Sequence, residues 1–159
     1  MEKTEKIRNQ LTWNIVFGGM LALGLPAVFF YLLEFYTHNP FVEVRPWAQF
    51  FNVVLFWLIG GILFCIFGSL RLAYGIFAAA VMLFGLANAY VVRFRTNPIV
   101  PWDIFSWKTA ASVAGNYDYT PDGRMVIVTA LFLGIIAALV RVKIKWGRVI
   151  CPKRYLAGG

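Results

Sequence analysis

Charge is scarce in this chain, and the shortage excludes a water-soluble globule. Asp, Glu, Lys and Arg make up 14% of its 159 residues, whereas hydrophobic residues make up 60% and aromatic residues 18%. Soluble domains carry about 25% charged and about 45–50% apolar residues. The chain therefore has too few polar side chains to cover a globule of its size, and we interpret it as a membrane protein.

Cysteine and histidine are also rare. The two cysteines are Cys65, within a long apolar run, and Cys151, near the basic C-terminal end, so a disulfide between them is not expected. No Cys/His spacing resembles a metal site, and we interpret the single histidine, His38, as a solvated loop residue. We therefore expect no metal and no cofactor in this chain.

The excess of positive charge does not indicate a nucleic-acid-binding protein. The net charge is +8, but the basic residues are distributed between long apolar runs and do not form a continuous folded face. We therefore expect no nucleic-acid partner and interpret the lipid bilayer as the partner of the basic residues.

Long uncharged runs define the fold class. Residues 9–33 and 46–70 are uncharged runs of 25 residues each, and residues 72–92 form a run of 21. A membrane-spanning helix needs about 20 apolar residues. The run 125–140 has 16 residues, but Arg124 and Arg141 can extend outward from its two ends. We predict an all-α polytopic bundle of four transmembrane helices, with spans near 11–33, 48–68, 72–92 and 125–142, forming a single domain.

The distribution of basic residues predicts the orientation. With a cytoplasmic N-terminus, ten Lys and Arg residues lie inside and five lie outside, which agrees with the positive-inside rule. The first outer loop then contains Tyr36, Phe41 and Trp47, which we expect in the aromatic belt at the membrane interface. The basic segment 143–159 becomes a cytoplasmic tail.

Small residues in the third span predict close helix packing. Gly75 with Ala79, and Gly85 with Ala89, are pairs separated by three residues that let another helix approach. Packing within the bundle is the interpretation we favour, and homodimerisation is the alternative.

The outer connection between the third and fourth spans, residues 93–124, is longer than a helical hairpin requires. Pro98 and Pro101 favour an extended entry, and Asp103 is placed to be the N-cap of a short interfacial helix over 104–114. Arg93 and Arg95 face the same side only if their segment is extended. Together with Asp103 they predict either a lipid-phosphate site or an Arg–Asp clasp that fixes the loop, and we favour the clasp.

The string NAYVVRFRTNPIVPWDIFSWKTAASVAGNY, residues 88–117, resembles a segment of the lipoteichoic acid synthase family. The resemblance implies a bacterial plasma-membrane protein with an N-terminal bundle of five helices. It also implies a large extracellular domain of the alkaline-phosphatase/sulfatase superfamily. In that family this domain transfers glycerol phosphate from phosphatidylglycerol, using a threonine nucleophile and a divalent metal such as manganese.

The chain departs from the family pattern because it has four spans, no cluster of acidic and histidine residues, and no recognisable nucleophile. We therefore expect the membrane-anchoring N-terminal part of a longer phosphoglycerol transferase, with no catalytic residues in this chain. Its partners would be its own extracellular domain and phosphatidylglycerol. The alternative is a small stand-alone membrane protein that assists another enzyme or binds a hydrophobic ligand. The residues expected to act as lipid-side positioning groups are Arg93, Arg95, Pro98, Pro101 and Asp103.

Overall fold

The computed structural model describes residues 2–95, 97–106 and 120–141 of the chain. These residues form helices joined by short connections, and no strand occurs among them. The elements in chain order are α1 (Glu2–Phe35), α2 (Pro40–Glu43), α3 (Pro46–Phe67), α4 (Leu70–Arg95), a 3-10 helix (Pro101–Ser106) and α5 (Gly123–Arg141).

Four of these helices are long and apolar enough to cross a membrane. The candidate spans are Ile15–Phe35, Pro46–Phe67, Leu70–Arg95 and Gly123–Arg141. The prediction of an all-α polytopic bundle is confirmed, and the chain is a multi-pass membrane protein. The tail predicted over 143–159 lies outside the described residues.

Helix α4 occupies the centre of the bundle, where it packs against α1, α3 and α5. Successive long helices run in opposite directions, so the described connecting residues 36–45, 97–106 and 120–122 lie at the end where α1 and α4 finish. We refer to this as the loop end. At the opposite end, Gly68 closes α3 with φ 61° and donates its N–H to the Phe64 carbonyl at 2.8 Å. This left-handed conformation favours glycine and permits the tight turn into α4.

Aromatic side chains join the four long helices in the core. The Phe29 ring of α1 meets Phe77 of α4 edge-on, with centroids 5.5 Å apart, and lies 6.1 Å from Phe132 of α5. The Phe56 ring of α3 lies 5.5 Å from Phe77. The opposite faces of the helices expose apolar residues such as Leu58 and are therefore suited to contact lipid.

Pro26 interrupts the hydrogen bonding of α1 in mid-span, and neighbouring helices compensate. Pro26 has no N–H to give the Ala22 carbonyl, which in a regular helix would accept from residue 26. The Tyr74 hydroxyl of α4 donates to that carbonyl at 3.1 Å, and the Trp57 indole of α3 donates to the Leu23 carbonyl at 2.7 Å. Polar satisfaction of this kind allows proline in membrane helices.

The two small-residue pairs of α4 have different environments. A Cβ on Gly85 would lie 2.6 Å from Tyr36 Cδ2 and 2.9 Å from Leu33 Cδ1, whereas a Cβ on Gly75 would meet nothing within 4 Å. Ala89 is buried, and Ala79 is half-buried. Gly85 with Ala89 therefore forms the close contact with the loop end of α1.

The predicted aromatic belt is partly wrong. Phe41 and Trp47 are exposed at the loop end, as expected for interfacial residues, but Tyr36 is buried. Tyr36 follows the last residue of α1 and packs into the bundle, where its ring stacks on Phe132 with centroids 6.2 Å apart. Its hydroxyl shares a 2.9 Å hydrogen bond with the Thr129 hydroxyl, so the polar atom is satisfied inside the bundle.

Candidate functional site

The structure separates the two arginines that the sequence placed together. Arg93 and Arg95 lie in the last turn of α4, so their segment is helical and the condition for both side chains to face one side is not met. Side chains two residues apart on an α-helix point in directions that differ by about 200°. Consequently Arg95 Nη1 contacts Asp103 Oδ1 at 2.8 Å, while Arg93 Nη1 donates to the Thr120 carbonyl at 2.6 Å. Both positive charges still lie at the C-terminal end of α4, where the helix dipole favours them.

Asp103 holds the start of the outer connection in a fixed shape. Its Oδ2 accepts the Val100 N–H at 2.9 Å, and its own N–H donates to the Val100 carbonyl at 2.9 Å. This reciprocal pattern resembles a capping box with Asp103 at the third helical position. The prediction of Asp103 as N-cap is therefore wrong, and Val100 occupies that position. Of the short helix predicted over 104–114, residues 104–106 belong to the 3-10 helix, and 107–114 lie outside the described residues.

The Arg95–Asp103 clasp is completed by a second attachment to α4. The Asn88 side chain of α4 accepts the Ile99 N–H through Oδ1 at 2.9 Å. The hydrogen bond from Arg95 lowers the pKa of the Asp103 carboxyl below its ordinary value of 3.8, and the bond from the Val100 N–H lowers it further. The clasp predicted from the sequence is present, and Arg93 is not part of it.

The two prolines act through the backbone. Pro98 is exposed and lies in the non-helical stretch that returns the chain toward Asn88. Pro101 is the first residue of the 3-10 helix, where its fixed φ is suitable and its missing N–H is not needed. Both residues therefore shape the segment, and neither offers a hydrogen-bond donor to a ligand.

A groove at the loop end is lined by two arginines, Arg93 and Arg124. It has a volume of about 510 Å³ and lies between the ends of α1 and α4 and the start of α5. We call it the arginine groove. Its lining residues are Tyr36, Thr37, Ala89, Val92, Arg93, Thr120, Pro121, Asp122, Arg124 and Met125.

The charged groups of the groove are held by backbone atoms. Arg124 Nη1 donates to the Thr37 carbonyl at 3.4 Å, and Asp122 Oδ1 accepts the Gly123 N–H at 2.8 Å. Within the described ranges the structure shows one ion pair, Arg95–Asp103, which lies outside the groove lining. Among the described residues, the guanidiniums of Arg93 and Arg124 therefore have carbonyl partners and no carboxylate partner.

Apolar groups form the floor of the groove. Tyr36, Ala89 and Met125 line the groove and are buried, so we call them its floor. Burial raises the pKa of the Tyr36 phenol above its ordinary value of 10.0, and the hydrogen bond with Thr129 opposes part of that shift. The Tyr36 side chain is thus an uncharged part of the groove floor at neutral pH.

Arg124 is the groove residue that sequence reasoning missed, because we assigned it only to anchoring the end of a short span. A signal was present in the sequence. Arg124 lies in the first turn of α5, where the helix dipole disfavours a cation. A basic residue in that position indicates a role other than stabilising the helix, and Arg124 has such a position in the groove lining.

The described residues do not fit a metal centre. No group of three His, Cys, Asp or Glu side chains lies together among residues 2–95, 97–106 and 120–141. We derive no metal-dependent step from them. No protein-family model, curated protein or solved structure matches the chain.

Proposed function

We propose that the chain is the membrane-anchoring domain of a lipoteichoic acid synthase-like phosphoglycerol transferase and positions an extracellular catalytic domain at the membrane. The observation that carries the proposal is the attachment of the outer connection to α4. The Arg95–Asp103 clasp and the bond from Ile99 to Asn88 fix residues 97–103, which are part of the segment that resembles that family, against the loop end.

The predicted orientation supports the proposal. In the plasma membrane of a bacterium with a cytoplasmic N-terminus, the loop end faces outside, where the family's catalytic domain acts. The basic residues at the other end then face the anionic inner leaflet. Phosphatidylglycerol and the chain's own extracellular domain are the proposed partners, and the divalent metal belongs to that domain.

The mass of the native product tests this proposal. An antibody raised against residues 1–10 is used to probe membranes of the source cells, with membranes of a strain lacking the gene as the control. We expect a band several-fold heavier than the 18.0 kDa of this chain, because a large catalytic domain would follow it. A band near 18 kDa would contradict the anchoring function and would favour the stand-alone accessory protein.

A further inference from the structure

We propose that the arginine groove binds a phosphate group through Arg93 and Arg124. The site is distinct from the Arg95–Asp103 clasp, and it does not depend on whether the chain anchors a transferase. The shared chemistry is a singly charged phosphate, carried either by an anionic lipid headgroup or by free phosphate.

The two guanidiniums come from different helices and are both oriented by the backbone. Arg93 extends from the last turn of α4 and donates to the Thr120 carbonyl at 2.6 Å. Arg124 extends from the first turn of α5 and donates to the Thr37 carbonyl at 3.4 Å. A guanidinium has five N–H donors, so one bond to a carbonyl leaves several that can bind phosphate oxygens.

The charge of the groove selects the class of ligand. Among the residues that the structure describes, the lining contains two arginines and one aspartate, which give a net formal charge of +1. Asp122 points one carboxylate oxygen at the Gly123 N–H, 2.8 Å away. A phosphate with one negative charge, such as a phosphodiester, balances the groove, whereas a cation would be repelled by the two guanidiniums.

The shape of the groove favours an amphiphilic source for that phosphate. The volume of about 510 Å³ is larger than one phosphate needs, and the buried Tyr36, Ala89 and Met125 provide an apolar floor. The groove also opens at the end of the bundle, where lipid headgroups lie beside the helix ends. A lipid phosphate at the arginines could therefore place its glycerol portion over the floor.

The test uses the full chain in phosphatidylcholine nanodiscs that contain added phosphatidylglycerol, with lipid retention measured by native mass spectrometry. We expect R93Q and R124Q each to weaken phosphatidylglycerol retention about tenfold, because each removes a charge-assisted donor. The matched control is R45Q, since Arg45 is an exposed arginine at the same end and outside the groove lining. We expect R45Q to retain the lipid as the unaltered chain does.

Inorganic phosphate, added to nanodiscs of phosphatidylcholine alone, distinguishes the two sources. A rise in unfolding temperature that is absent from the R93Q/R124Q double variant indicates free phosphate. Retention of phosphatidylglycerol without a rise in unfolding temperature on addition of inorganic phosphate indicates a lipid headgroup. Either result supports the site. Equal retention by the double variant and the unaltered chain, at equal helix content, would overturn the proposal. So would an R45Q effect as large as that of R93Q, because it would show general surface attraction.

Discussion

At the residue scale, single side chains compensate for local breaks in the helical pattern. Pro26 leaves the Ala22 carbonyl without its usual donor in mid-span, and the Tyr74 hydroxyl supplies one from α4. An unsatisfied carbonyl is costly in hydrocarbon because no water is available there. Tyr74 therefore joins α4 to α1 by donating to the carbonyl that Pro26 leaves unpaired within the helix.

Removing the Tyr74 hydroxyl should cost stability only while Pro26 is present. We expect Y74F to lower the free energy of unfolding by about 0.5–1.5 kcal/mol, measured by reversible unfolding in mixed micelles. In P26A the new N–H of residue 26 can bond to Ala22, so Y74F should cost little in that background. An equal loss in both backgrounds would show that the hydroxyl acts independently of the proline.

The ionisation of Asp103 should follow its contact with Arg95. Because the pKa of Asp103 is lowered, the clasp is fully formed above pH 3.8 and is lost as the pH falls through the lowered pKa. The side-chain carboxyl ¹³C shift measures this titration. We expect R95Q to raise the pKa of Asp103 toward 3.8, while R93Q leaves it unchanged because Arg93 bonds to Thr120. An R93Q effect equal to that of R95Q would contradict the separation of the two arginines.

Sequence reasoning at this scale identified residue types better than it identified partners. The sequence predicted an Arg–Asp clasp, and it allowed Arg93 and Arg95 to face the same side only if their segment was extended. Continuation of α4 to Arg95 turns the two side chains apart. Arg93 and Arg124 line the same groove because α4 and α5 pack together, and no local sequence pattern encodes that packing.

At the element scale, α4 is the helix around which the bundle is organised, and its small residues matter where another helix is close. Of the two glycines in the predicted small-residue pairs, Gly85 is in tight contact with α1 and Gly75 is not. The position of the spans was predictable because the bilayer fixes their length. The contact made by each glycine was not, since it depends on which helix lies opposite.

The two glycines of α4 form a matched pair of test positions. We expect G85A to destabilise the bundle by about 1–3 kcal/mol, because the added methyl would overlap the Tyr36 and Leu33 side chains. G75A should be neutral or stabilising, because its methyl meets no atom and alanine has the higher helix propensity. Reversible unfolding of both variants measures the difference. Equal stability of the two would show that α1 can move away from α4 without cost.

At the scale of the whole molecule, the specific polar contacts of the outer segments converge on one end of an otherwise apolar bundle. The clasp, the arginine groove and α2 all lie at the loop end. The fold class and this polarity could be predicted from charge distribution, because uncharged runs and basic flanks have direct physical consequences in a bilayer. The groove could not, because three helices that are distant in sequence form it.

The proposed function requires the loop end to face outside the cell, and cysteine labelling measures the side of the membrane on which it lies. In a chain with Cys65 and Cys151 replaced by alanine, V42C and V100C report on the loop end, and S69C reports on the opposite turn. We expect a membrane-impermeant maleimide to label V42C and V100C on intact cells, and S69C only after permeabilisation. Labelling of S69C on intact cells, with V42C and V100C protected, would contradict the proposed function.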